Sequence, residues 1–224
     1  RKIKFYYLFM NKRHIDVQII KSKLMNFDSP DRLKIKHDLF RNSAVLFPFM
    51  EIDNSFNVIL IKRTNVGKRH RKEMSFPGGK FDPNLDNSLL DTALRETEEE
   101  IGVSKEYIKI LGCLDDLPTT TRYIITPFVG LIQSGAQLKK QDIEVEEIYQ
   151  IPMDFFLDQQ NFTETYFEIG SKKFPIYRYP KYNVWGATAH LIVSFIERVY
   201  GVSLSKSGLK RLNVEQLAAI ELPK

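Results

Sequence analysis

Glu96, Glu99 and Glu100 stand at i, i+3 and i+4 in the run Arg95-Glu96-Thr97-Glu98-Glu99-Glu100-Ile101-Gly102-Val103. On a helix, that spacing puts three carboxylates on one face. Like charges so crowded repel one another, and a hard divalent cation with oxygen ligands relieves the repulsion. A solvated acidic face is the plain alternative for a Glu-rich helix. Two neighbours favour the metal reading. Arg95 lies four residues before Glu99 and can hold its carboxylate in one rotamer; as an exposed pair this contributes only about 0.3–0.5 kcal/mol. Upstream, Ser75-Phe76-Pro77-Gly78-Gly79-Lys80 places two glycines where the backbone can approach a phosphate or a side chain closely.

The elements that must hold these groups can be read around them. Leu90, Leu94 and Ile101, with Thr97 between, recur at core spacing and pin the helix to the protein interior. Ser88 followed by Asp91 has capping-box form, with Asp86 or Asn87 as other caps, and Gly102 suits the C-terminal end. Strands are predicted over 44–49, 58–63, 107–114, 124–132 and, more weakly, 149–153. Segments 163–169 and 174–179 read as a hairpin, and 187–200 as a closing helix ended by Gly201. Together these predict an α/β fold, a mixed sheet with helices on both faces.

The stretch from Gly79 to Val103 resembles the Nudix box, whose pattern ends Arg-Glu-(apolar)-x-Glu-Glu-x-Gly-(apolar). The resemblance implies a Nudix-like α/β/α sandwich and hydrolysis of a nucleoside diphosphate linked to another group. It also implies magnesium or manganese held by Glu96, Glu99 and Glu100. Two departures stand out. The segment between Gly79 and Arg95 is longer than usual, and counting back from Arg95 puts Asn87 where the pattern has an early glutamate, so that acid is missing. Thr97 also replaces a common aliphatic residue.

Flanking segments are similar to the coenzyme A diphosphatase subfamily. These are Arg63-Thr64, Arg69-His70, Glu73 to Gly79, Arg41 to Pro48, Leu114 to Thr119, and Trp185 to Ala189. Such a resemblance implies cleavage of coenzyme A or its thioesters to 3′,5′-ADP and 4′-phosphopantetheine, with Arg63, Arg69, His70, Phe76, Gly78 and Gly79 on the substrate side. Lys72 and Glu73 stand where the subfamily carries Gly and Gln. A Nudix enzyme for ADP-ribose or dinucleotides is the alternative, and a non-catalytic nucleotide- or RNA-binding relative is the alternative of another class.

The basic cluster Lys62, Arg63, Lys68, Arg69, His70, Arg71 and Lys72 leads into the glycine turn. It reads as a site for a phosphorylated small molecule. Without interleaved aromatic residues to stack on bases, it does not read as a nucleic-acid surface. Nudix proteins often place an extra acid after the box, and here Glu144, Glu146 and Glu147 offer one; Glu144, Glu147 and Glu99 are the candidates for general base, with Arg95 in the catalytic set. Trp185 reads as core ahead of a cleft wall, and His190 as a satisfied structural histidine.

At 224 residues with a net charge of +5, the chain has room for one core and not two. Its single cysteine, Cys113, excludes an intrachain disulfide and a cysteine-based zinc site, which favours a reducing compartment. No apolar run approaches a membrane span, so a cytoplasmic protein without membrane attachment, monomeric or homodimeric, is expected. Residues 1–40 read as an N-terminal extension, 41–200 as the hydrolase domain, and 201–224 as a tail. If a leader precedes Arg1, an organellar matrix replaces the cytoplasm.

Overall fold

A computed structural model describes residues 15–65, 73–169, 172–206, 208–210 and 213–219. Among the described residues the first element is α1 (Val17–Lys23), capped by Asp16, and the long strands β1 (Arg41–Ile52) and β2 (Ser55–Arg63) follow. Asp53 and Asn54 both take positive φ (51° and 58°) between them, the backbone of a tight hairpin whose twist matches its strands. Short strands β3 (Met74–Ser75) and β4 (Gly78–Lys80) follow, then helix α2 (Leu89–Ile101). Next come β5 (Ile108–Cys113), β6 (Leu117–Pro118), β7 (Tyr123–Ile132), β8 (Val145–Pro152) and α3 (Met153–Leu157). The last described elements are β9 (Thr163–Ile169), β10 (Lys172–Tyr179), β11 (Val184–Trp185), α4 (Gly186–Tyr200) and α5 (Val214–Ala218).

The main sheet runs β3-β2-β1-β7-β5, with β4 added to β1, β6 to β7 and β8 to β2. Among the described residues β1 and β7 pair in parallel and the other strand pairs of this sheet are antiparallel. Alternation along β1 and β2 sorts the side chains onto two faces. Ala44, Leu46, Ile59 and Ile61 face α2, where Ala93 and Ile101 meet them. Phe47, Phe49, Val58 and Leu60 face α4, packed with Phe195 and Ile192. The result is the expected sandwich of helix, mixed sheet and helix. The predicted long strands are all present, and the 187–200 helix begins one residue earlier. The β9–β10 hairpin does not extend the main sheet. It forms a separate three-stranded sheet with β11, and Gly170 and Ser171 at its tip lie outside the described residues.

Residues 15–40 pack onto this body. Met25 bridges to Cys113, and the Arg32 guanidinium is buried against the Asp116 carboxylate while its Nε donates to the Leu114 carbonyl at 2.8 Å. Asp116 also accepts from Ile35 N and Thr126 Oγ1, at 2.9 and 2.7 Å. That network fixes the chain just ahead of Leu117-Pro118, which borders the cleft described below.

Candidate active site

Helix α2 is set at both ends. Ser88 accepts from Asp91 N at 3.2 Å and its hydroxyl donates to the Asp91 carboxylate at 2.9 Å, while Gly102 takes φ 72° and donates to the Glu98 carbonyl at 2.9 Å. The buried line of the helix is Thr92, Ala93, Thr97, Glu100 and Ile101. Leu90 and Leu94 are only half-buried, at the border of the cluster. Thr97 fits where an aliphatic residue is common because its hydroxyl donates to the Ala93 carbonyl at 2.6 Å.

The three glutamates do not share one environment. Glu100 is buried, Glu96 is half-buried and Glu99 is exposed. Glu100 accepts from Gly78 N at 2.9 Å and from Arg63 Nη1 at 3.0 Å. Burial pushes its pKa up to about 7, against the pull of Arg63 and Gly78 N, and burial raises Glu96 as well. The glycines are required by close approach. A Cβ on Gly79 would run into the Glu96 carboxylate, and one on Gly78 (φ 156°) into Ala44 and Val45 of β1.

Arg95 ties the stripe together. Its Nη1 donates to Glu99 as predicted, at 3.0 Å, and also to Glu96 at 3.0 Å. Its strongest partner is one the sequence reading missed. Asp86, with a side chain fully enclosed, receives Nε at 2.8 Å and Nη2 at 3.1 Å in a two-pronged pair. Thr92 Oγ1 and Asp82 N also donate to it, and the Arg95 bond holds its pKa down at about 2. The early glutamate remains missing, and the acid of this loop that reaches Arg95 is Asp86; Asn87 is exposed and Ser88 is the cap. The Arg95 anchor is correspondingly stronger than an exposed helix pair.

Of the acids after the box, Glu144 comes to this face, 3.8 Å from Arg63 Nη2. Glu147 does not. It accepts from the Tyr149 hydroxyl at 2.7 Å, and Tyr149 packs on the α4 side of the sheet, so Glu147 is set apart from the box helix. Glu146 pairs with Lys62 at 2.5 Å. A register shift between Lys62 and Arg63 breaks the alternation by which such placements are counted. Lys68, Arg69, His70, Arg71 and Lys72 lie outside the described residues.

The donor set suits a hard cation. Among the described residues, no three carboxylate or imidazole groups already converge as a closed cage. Arg95 occupies one oxygen each of Glu96 and Glu99, and their other oxygens carry no hydrogen bond among the described residues. An open site of one or two carboxylates completed by substrate phosphates is the usual arrangement for magnesium.

Beside these carboxylates runs a cleft of about 670 Å³. Arg63, Gly78 and Gly79 line it, as do Leu117 to Thr121 and, from the second sheet, Phe167, Ile176 and Trp185. Phe76 borders it too, although its ring is buried 4.3 Å from that of Phe47 and belongs to the core. Trp185 is not core. It is among the exposed large side chains, with the Arg178 guanidinium 5.3 Å over its ring.

A family profile for the NUDIX domain matches residues 40–163. The chain belongs to the Nudix family. A Nudix hydrolase named NudL and described as uncharacterized, from Photorhabdus laumondii, is 31% identical over 174 residues, spanning 76% of this chain and 89% of the relative. NudL of Yersinia pestis strain Pestoides F is 31% identical over 161 residues, spanning 71% and 80%. Among solved structures, a MutT/nudix family protein from Enterococcus faecalis superposes with a TM-score of 0.47 at 18% identity, over 76% of this chain and 66% of that one. The protein is a Nudix hydrolase, of a family that acts on nucleoside diphosphate derivatives and generally uses divalent metals. No helix among the described residues is long and apolar enough to cross a membrane.

Proposed function

We propose that this Nudix hydrolase cleaves the diphosphate of coenzyme A or its thioesters, releasing 3′,5′-ADP and 4′-phosphopantetheine or its acyl form. One observation carries the reading. Three segments that resemble the coenzyme A diphosphatase subfamily, Glu73 to Gly79, Leu117 to Thr119 and Trp185 to Ala187, are far apart in sequence yet line one cleft beside the box glutamates. That cleft is lined by charged and apolar side chains, as a diphosphate bearing a long uncharged arm requires.

In this mechanism Glu96, Glu99 and Glu100 would hold magnesium or manganese, which would neutralise charge at the diphosphate and lower the pKa of a bound water. Arg95, anchored on Asp86, fixes Glu96 and Glu99 so that their free oxygens keep one geometry. Water forms a bond to phosphorus as the bridging P–O bond breaks, giving two phosphate monoesters. Glu99 takes the proton, with Glu144 as the second acid near this face. Arg63 opposes the burial that raises the Glu100 pKa and carries positive charge to the cleft. Arg69 and His70 complete the substrate side in this reading.

Product analysis across coenzyme A, its 3′-dephospho form, ADP-ribose and a dinucleoside polyphosphate, each with magnesium and with manganese, tests it. Coenzyme A should be preferred over the dephospho form by roughly tenfold to a hundredfold, the worth of a charge-assisted contact to the 3′-phosphate. A clear preference for ADP-ribose or the dinucleotide would sink the substrate assignment and leave the family intact.

A further inference from the structure

His190 is buried at 8% exposure on α4, yet among the described residues it has no hydrogen bond; its recorded neighbour is the Tyr177 ring, 5.5 Å away. It is therefore not the satisfied histidine that its apolar helix face predicts. It borders two spaces. One is the cleft, where Tyr177, Thr188 and Leu191 lie beside it. The other is a recess of about 20 Å³, edged by Asp115, Asp116 and Ser194 and large enough for one water. A buried polar group without a partner is uncommon and calls for an explanation. Ser75 is such a case on the same cleft: among the described residues its hydroxyl is the enclosed side-chain polar atom without a hydrogen-bond partner. Two unmatched polar groups bordering one otherwise apolar cleft are what a ligand with uncharged polar groups along an apolar arm would use.

We propose that His190 is a specificity-determining residue, whose neutral imidazole hydrogen-bonds an amide in the arm that the substrate extends beyond its diphosphate. The role rests on the proposed function, which gives the cleft such an arm. Burial holds the ring's pKa down at about 4, so it is uncharged at neutral pH and recognises a neutral amide rather than an anion. Thr188, two residues before His190, donates to the Met74 carbonyl at 3.1 Å and so fixes this end of α4 against β3, the strand that carries Ser75. The helix thereby holds the imidazole at a set distance from the glycine turn.

The test uses the two products as inhibitors of coenzyme A hydrolysis, in the wild type and in His190→Leu and His190→Gln. 4′-Phosphopantetheine carries the amides and 3′,5′-ADP does not. His190→Leu should weaken inhibition by phosphopantetheine roughly two- to tenfold, the worth of one hydrogen bond, and raise KM by a similar factor at unchanged kcat. Inhibition by 3′,5′-ADP should stay as it was, and His190→Gln should recover most of the loss. Weakening of both inhibitors together would mean a structural role, and no change in either would mean none; both outcomes overturn the proposal. If the wild type does not cleave coenzyme A, the proposed function falls first and this role with it, a result distinct from cleavage that ignores His190.

Discussion

The two faces of the main sheet are built on opposite principles. On the α2 face, four acids and two arginines lie within bonding distance of one another: Asp86, Glu96 and Glu99 on Arg95, and Glu100 on Arg63. On the α4 face the same strands present rings: Phe47 lies 4.3–4.9 Å from Phe49, Phe76 and Phe195, and all four are buried. The first face carries charge that packing must restrain, and the second supplies the apolar burial that restrains it. Phe76 links them, since it immediately precedes the Pro77-Gly78-Gly79 turn on which Glu96 and Glu100 rest. Stability and chemistry are thus separable by face, and substitutions can be chosen to move one without the other.

The largest effect should come from the aromatic face. Phe47→Ala removes a fully buried ring and should cost about 3–5 kcal/mol of stability, read as a fall in urea midpoint. The fraction still folded should turn over substrate at close to the wild-type kcat. A selective loss of kcat in folded protein would mean that the two faces are not separable.

Gly79→Ala is the complementary change. The new Cβ displaces the end of a flexible side chain, the Glu96 carboxylate, so the fold should hold while a misplacement of about 1 Å costs roughly a hundredfold in kcat. Gly78→Ala should behave differently, because its Cβ meets backbone in β1, and folded yield rather than kcat should fall. Circular dichroism alongside steady-state rates distinguishes the two.

How far each face was legible follows from distance along the chain. The box helix could be read because its information is local: i, i+3 and i+4 spacing, Ser88 at one end and Gly102 at the other. Asp86 escaped because it sits in an irregular loop nine residues before Arg95, where counting has no period to use, and its link to Arg95 shows only through the two bonds it receives from that side chain. The placements of Glu144 and Glu147 could not be counted across the β-bulge at Lys62 and Arg63. Strands β3, β4 and β6 have two or three residues each, too few for alternation to register. Trp185 and His190 were assigned by residue type and helix face. Their positions depend instead on the second sheet, which pairs β11 with β10 and leaves Trp185 exposed over the cleft.

Asp86 gives a smaller effect with a defined sign. Arg95 holds its pKa down at about 2, below the ordinary carboxylate value near 3.9. Its contribution to stability is therefore complete above about pH 4 and is lost as pH falls through about 2. Asp86→Asn should be less stable than the wild type at pH 6, and the difference should shrink steadily as urea titrations are repeated from pH 4 downward. A difference that stays constant across that range would mean the pair contributes no charge-dependent stability.

The division of labour within the site is tested most directly by letting coenzyme A and ADP-ribose compete in one tube and measuring the ratio of their kcat/KM values. Glu96→Gln acts on chemistry common to both substrates, so it should lower both rates by the same factor and leave the ratio unchanged. Trp185→Ala opens the cleft wall that, in the proposed function, the longer arm alone reaches, so it should shift the ratio toward ADP-ribose at near-normal kcat. A ratio that moves with Glu96→Gln and not with Trp185→Ala would contradict the account, because selection would then lie among the carboxylates and not along the cleft.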